Sequence, residues 1–192
     1  MRRHPARRAV LVAACTAGVL LASSSGVGAA RASAPVPPNR WWGTVCRDFN
    51  AYTKDTGKYE RVLVTTLQNP RSLSDVRTKL IQYLNSNIIR ANELLATLRR
   101  AGVPAVPGGA QYAAAIQSGF VQLRDGFEGL LPDARATPTS SATAVQDAVN
   151  GMRTKLMVLA SQSSSTIDAA NQAAAPQLLA ARQAQKACRA AG

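Results

Sequence analysis

Few residues in this sequence can carry covalent or metal chemistry: three cysteines and one histidine among 192 residues. His4 and Cys15 fall in an N-terminal stretch laid out like a cleaved export signal. Beyond it the chain keeps Cys46 and Cys188 and has no imidazole. A Ser-His-Asp or Cys-His relay needs an imidazole to move its proton, so neither can operate there. The common histidine ligands of zinc and haem are missing for the same reason, and no metal and no cofactor is expected. Cys46 and Cys188 lack the Cys-x-x-Cys spacing that lowers one thiol's pKa. Two thiols in an oxidising compartment admit one pairing, and closing a loop of more than 100 residues stabilises by about 5 kcal/mol as an upper figure. A structural Cys46–Cys188 disulfide is therefore expected.

Carboxylate chemistry is equally thin. Asp55-Thr56-Gly57 spells the aspartic-protease triplet, but those enzymes need two such loops so that paired carboxylates share a proton. Here one copy lies inside a helical pattern. Glycoside hydrolysis also needs two facing carboxylates, and the 10 acids are scattered over polar flanks with no pair to nominate. No G-x-S-x-G, P-loop or dinucleotide fingerprint is present. The chain reads as non-catalytic, with a histidine-free hydrolase as the third-ranked reading.

Binding chemistry has more to work with. At 100° per residue from Val45, the side chains of Arg47, Lys54, Lys58 and Arg61 share one ridge opposite the apolar stripe of the first helix. Such a ridge attracts anionic envelope polymers, lipid headgroups or an acidic protein through a force that salt screens. A plain solvated face has the same composition. Trp41 and Trp42 stand before that helix. Adjacent indoles point apart, so one is expected to cover the disulfide pole and the other to meet a partner, glycan or membrane interface. The basic positions lack the interleaved aromatics of a single-strand platform, so nucleic acid is not expected. The aromatics end at Phe127, which confines any aromatic pocket to the first three helices. Within Ser161-Gln162-Ser163-Ser164-Ser165-Thr166 at least one hydroxyl must face the other helices and find a hydrogen bond, either lining a polar cavity or letting two helices approach.

The elements that position these residues follow from pattern. Met1 to Arg8 is arginine-rich, Ala9 to Ala22 is apolar and Ser23 to Ala32 is small and polar, the order of a secretory signal. Cleavage is expected after Ala30-Arg31-Ala32, where small side chains hold the last and third-last positions, and an uncleaved anchor is not expected because the apolar run is shorter than the roughly 20 residues a spanning helix needs. Removing 1–32 takes away five arginines and lowers the net charge from +13 to +8. Val12-Ala13-Ala14-Cys15 resembles a lipobox, but it follows Arg8 too closely and the apolar run continues past it, so lipidation of Cys15 is not expected. Arg7-Arg8 is a poor twin-arginine match.

Residues 33–43, with Pro35, Pro37 and Pro38, are expected to form a flexible arm, and 44–192 a single helical domain. Val45, Phe49, Tyr52, Thr56, Tyr59, Leu63 and Leu67 step by three and four along a first helix that Asn69-Pro70 stops. A second opens at Ser72 and closes at Gly102. A third carries Tyr112, Ile116, Phe120, Leu123, Phe127 and Leu130 and is expected to end at Pro132. A long fourth runs from Val145, kinked or restarted at Pro176 before Cys188. The fold class expected is all-α, an up-down-up-down four-helix bundle with its ends stapled by the disulfide.

This layout, with one cysteine early, one late and the turn Arg100-Ala101-Gly102-Val103-Pro104-Ala105-Val106-Pro107-Gly108-Gly109, resembles that of small exported helical proteins of high-GC Gram-positive bacteria. The resemblance implies a location outside the cell, free or wall-associated, and a helical fold. It carries over no functional residue. The function expected is non-catalytic binding of an anionic envelope component or a protein partner. The alternative is a carrier of a small apolar ligand held between the helices.

Overall fold

The computed structural model describes residues 35–189. The leader over 1–32, its cleavage point and Cys15 lie outside them. Among the described residues every named element is a helix: α1 (Pro38–Gln68), α2 (Leu73–Ala101), α3 (Gly109–Ala136), α4 (Ala142–Gln172), α5 (Pro176–Ala184) and α6 (Lys186–Arg189).

Helix ends fall where the local chemistry sets them. Ser72 accepts a hydrogen bond from the Asp75 N–H at 3.1 Å and Ser141 accepts one from Ala144 at 3.1 Å, so each satisfies one of the orphan donors of a helix start. Gly102 closes α2 with φ 70° and Gly108 precedes α3 with φ 72°, a backbone region open to glycine for want of a Cβ. Pro176 opens α5 at its first turn, where a missing N–H costs nothing. The expected restart at this proline is therefore a full break between α4 and α5.

Two expectations need correction. Residues 33–43 are not an arm throughout: α1 already begins at Pro38. Proline is preorganised for a first helical turn, and the segment before it is tied down, with Val36 N–H donating to the Val103 carbonyl and Ala105 N–H to the Val36 carbonyl, both at 2.8 Å. Nor does Pro132 end α3, which continues to Ala136. A proline removes the bond to the carbonyl four residues back. That carbonyl belongs to Glu128, and Glu128 and Pro132 are both exposed, so water can take the place of the missing donor.

The long helices pack in chain order, α1 on α2, α2 on α3 and α3 on α4, and the return to α1 is made chiefly by α5 and α6 rather than by α4. Burial divides accordingly. One cluster, at the disulfide end, joins Trp41, Trp42, Val45 and Cys46 of α1 to Leu94, Leu95 and Leu98 of α2, Tyr112, Ile116 and Phe120 of α3, and Leu178 of α5. The other, built on Val76, Leu80, Leu84, Phe127, Leu130, Val145 and Met152, contains no fully buried residue of α1. The distal half of α1 is left uncovered in consequence: Tyr59, Val62, Val64 and Leu67 are exposed, as are Met157 and Val158 of α4. Glycines set the α3–α4 spacing. A Cβ on Gly126 would collide with the Leu159 methyl carbons, and one on Gly119 would lie 2.9 Å from Ile167 Cγ1.

Candidate ligand groove and cationic surfaces

Because α5 and α6, not α4, close onto α1, a groove of about 190 Å³ opens among α1, α3 and α4. Its apolar lining comes from Trp42, Val45 and Phe49 of α1, Ile116 and Phe120 of α3 and Ile167 of α4. The rings pack edge to face: Phe49 with Phe120 at 5.9 Å and Trp42 with Tyr112 at 5.9 Å between centroids, the arrangement their quadrupoles favour. Polar groups also line it. The Tyr112 hydroxyl donates to Asn171 Oδ1 at 2.8 Å, and the Arg182 guanidinium lies 5.3 Å from the Trp42 ring centroid. Burial pushes the Tyr112 hydroxyl up to about 12, against the opposing pull of the Arg182 charge, so it stays a neutral donor at physiological pH. Cys46 and Cys188 complete the lining, joined as a disulfide with Cα atoms 5.0 Å apart.

The chain matches no protein-family model, no curated protein and no solved structure.

Of the residues singled out in the sequence, the two cysteines are brought together as expected. Trp41 and Trp42 are not divided between core and partner. Both are buried, at 1% and 5% exposure, and each indole N–H is consumed internally, Trp41 by the Gly102 carbonyl at 3.0 Å and Trp42 by the Leu178 carbonyl at 2.9 Å. The physical reason is that two neighbouring structures are present to receive them, the α2–α3 turn on one side and α5 on the other. Neither indole is a free partner contact, although Trp42 forms one wall of the groove.

Arg47, Lys54, Lys58 and Arg61 are all exposed along α1. Two of them are paired: Arg47 Nε lies 3.2 Å from Asp48 and Lys58 Nζ 2.7 Å from Asp55. Lys54 and Arg61 have no carboxylate within ion-pair distance among the described residues. Asp55 sits inside α1 rather than on a catalytic loop. The Lys58 hydrogen bond, with the nearby Arg90 and Lys54 charges, holds its carboxyl below the ordinary value. With Glu93 and Asp48 it lines a crevice of about 100 Å³ against α2, but Arg90 bridges Asp55 at 3.5 Å and Glu93 at 2.7 Å. A lowered carboxyl pKa is the wrong sign for a general acid.

The serine-rich run resolves to one residue. Ser163 is buried and its hydroxyl donates to the Gly119 carbonyl at 2.9 Å, so it serves close approach of α3 and α4. A separate polar depression of Ser161, Gln162, Ser165, Thr166 and Gln122 lies on the surface. Sequence reasoning did not find the groove as a unit, because Ile167, Asn171 and Arg182 come from segments with no aromatic signal. Gly119 and Gly126, seven residues apart on one helix face, were the available sign that α4 lies close against α3. No group of three His, Cys, Asp or Glu able to hold a metal occurs among the described residues, and none of the described helices is long and apolar enough to cross a membrane.

Proposed function

We propose that this is an exported, non-catalytic helical protein that holds a small amphipathic molecule, an apolar ring or short chain with an anionic head, in the groove beside the disulfide. In this reading the four long helices run up-down-up-down as an array left open between α1 and α4, so the bundle interior serves as the site. The observation that carries it is the pairing of an aromatic and aliphatic lining with Arg182, Asn171 and Tyr112 as the polar groups present. A few polar groups on a mostly apolar concavity is the usual make-up of small-molecule sites. The size supports a small occupant: about 190 Å³ is somewhat larger than a cavity of about 150 Å³ that takes one benzene. Export is supported by the disulfide, since such bonds persist mainly in oxidising compartments.

Titration of the oxidised protein with phenylacetate and with octanoate, followed by two-dimensional NMR, tests the proposal. Saturable shifts at groove residues are expected, and Arg182→Gln should weaken both acids while sparing the matching neutral amides. Absence of saturable binding by any of these compounds, together with native protein that carries no co-purifying small molecule by mass spectrometry, overturns it.

A second reading keeps the ridge Arg47, Lys54, Lys58 and Arg61 as a contact for anionic cell-wall material. It is supported by the exposure of all four side chains. Charge reversal of the four to glutamate should abolish salt-sensitive retention on wall preparations, and unchanged retention dismisses it.

A further inference from the structure

Elsewhere among the described residues three guanidinium groups line one crevice. A crevice of about 320 Å³ lies between the opening turns of α1 and the last turn of α2, with Arg40, Arg47 and Arg100 in its lining and Trp41 in its wall. It shares no lining residue with the groove. Arg40 and Arg47 are seven residues apart, two turns of one helix face, and Arg100 comes from the facing helix.

The only carboxylate in the lining is already engaged at both oxygens. Asp48 Oδ1 is 3.2 Å from Arg47 Nε, and Asp48 Oδ2 accepts from the Thr97 hydroxyl at 2.7 Å. Arg100 Nη2 in turn donates to the same Thr97 oxygen at 2.9 Å. Thr97 is buried at 5% exposure, so it anchors the Arg100 guanidinium, while the exposed Arg47 lies against Asp48. A guanidinium has five N–H donors, and each of these contacts uses only one or two, which leaves most of the donors of Arg47 and Arg100, and the whole side-chain set of Arg40, to face a ligand. Three cations against one satisfied carboxylate leave the crevice net positive.

We propose that this crevice is a binding site for a phosphate-monoester or diphosphate group. Guanidinium forks match phosphate oxygens in pairs, and three of them around one space suit a group that presents three or more charged oxygens better than a carboxylate with two. The phosphate can belong to a soluble ester or to a lipid headgroup.

The test is calorimetric titration of the oxidised protein with pyrophosphate and with glycerol phosphate, and co-sedimentation with phosphatidylcholine vesicles with and without phosphatidic acid. Pyrophosphate should bind saturably. Replacing an arginine that makes charge-assisted bonds to it should weaken binding about tenfold or more. The variants are Arg40→Gln, Arg100→Gln and, as charge-matched controls on the ridge, Lys54→Gln and Arg61→Gln made singly. Arg40 makes no side-chain bond among the described residues, so its variant reports on the ligand even if Arg100→Gln loosens Thr97, which thermal melting reveals. Selective loss in the Arg40 and Arg100 variants supports the site. If vesicles alone respond, the headgroup is the source. If the soluble esters respond, the ligand is free. Equal weakening in the Lys54 or Arg61 control, or no saturable response to either the soluble phosphates or the phosphatidic acid vesicles, reduces the effect to diffuse attraction and overturns the proposal. Because no groove residue is altered, the result is independent of the groove's own test.

Discussion

Replacing Leu178 by alanine separates the two ways in which the C-terminal segment is held to α1. Leu178 is fully enclosed at 0% exposure and is the only buried residue of α5, while α6 buries none. The other attachments are the Cys46–Cys188 bond, three hydrogen bonds, from Trp42 Nε1 to the Leu178 carbonyl, from Asn50 Nδ2 to the Ala187 carbonyl and from Gln185 Nε2 to the Asn39 carbonyl, the Arg182 guanidinium over the Trp42 ring, and the partly buried Ala181 and Ala187. Truncating a core leucine to alanine costs about 2–5 kcal/mol, the higher values where the void cannot collapse. A hydrogen bond of this kind contributes about 0.5–1.5 kcal/mol net. With the disulfide intact, the tail stays beside the void, and the full 2–5 kcal/mol should appear as lost stability in a urea titration followed by tryptophan emission. With the disulfide reduced, three hydrogen bonds, the Arg182–Trp42 contact and the packing of Ala181 and Ala187 oppose an ordering cost of about 1–2 kcal/mol per backbone residue. Residues 176–189 of the reduced Leu178→Ala protein should then detach: Trp42 emission shifts to the red, protease cuts the tail, and the helical signal of α1 to α4 persists. Oxidised Leu178→Ala within about 0.5 kcal/mol of the parent, or a tail that remains protected after reduction of the variant, refutes the reasoning.

Three shorter predictions follow from other contacts. The same substitution on one helix should have opposite signs at two glycines: Gly129→Ala, where a Cβ meets nothing within 4 Å, should raise stability by about 0.5–1 kcal/mol. Gly126→Ala, aimed into Leu159, should lower it, by about 1–3 kcal/mol from overpacking less about 1 kcal/mol gained in helix propensity, and thermal melting distinguishes the two. Tyr52 and Tyr112, both pushed up to about 12 chiefly by burial, favour the protonated phenol in the folded state. Their contribution is whole below pH 10 and lost as pH rises from there toward 12, so tyrosinate absorbance should show late ionisation that returns to ordinary values in denaturant. Ser163→Ala should cost about 0.5–1.5 kcal/mol in a denaturant titration, the net worth of its bond to the Gly119 carbonyl, because that carbonyl lies inside α3 and keeps its intrahelical donor.

What was legible in the sequence was what neighbours in the chain decide. Ser72, Gly102 and Pro176 mark helix boundaries through contacts within a turn, and they fall where the pattern placed them. Cys46 and Cys188 pair because no other thiol remained once Cys15 was assigned to the leader. Pro132 was misread because its penalty depends on which way the Glu128 carbonyl faces, a property of the packed helix. The burial of both Trp41 and Trp42 was hidden for a similar reason: their indoles are received by Gly102 and Leu178, 61 and 136 residues away. The groove was the least legible feature, since it arises from the failure of α4 to meet α1. No segment encodes a gap, although the two glycines that draw α4 onto α3 were visible.

The Cys46–Cys188 bond also fixes how a pull would travel through the molecule. A stretching load applied at the two chain ends passes from residue 46 to residue 188 through sulfur, and the residues between them lie on a closed side branch that bears none of it along the backbone. If either end is moored, the four long helices, apart from the opening turns of α1 ahead of Cys46, ride beyond that clasp without being drawn out. Reduction would put the same helices directly in the line of tension.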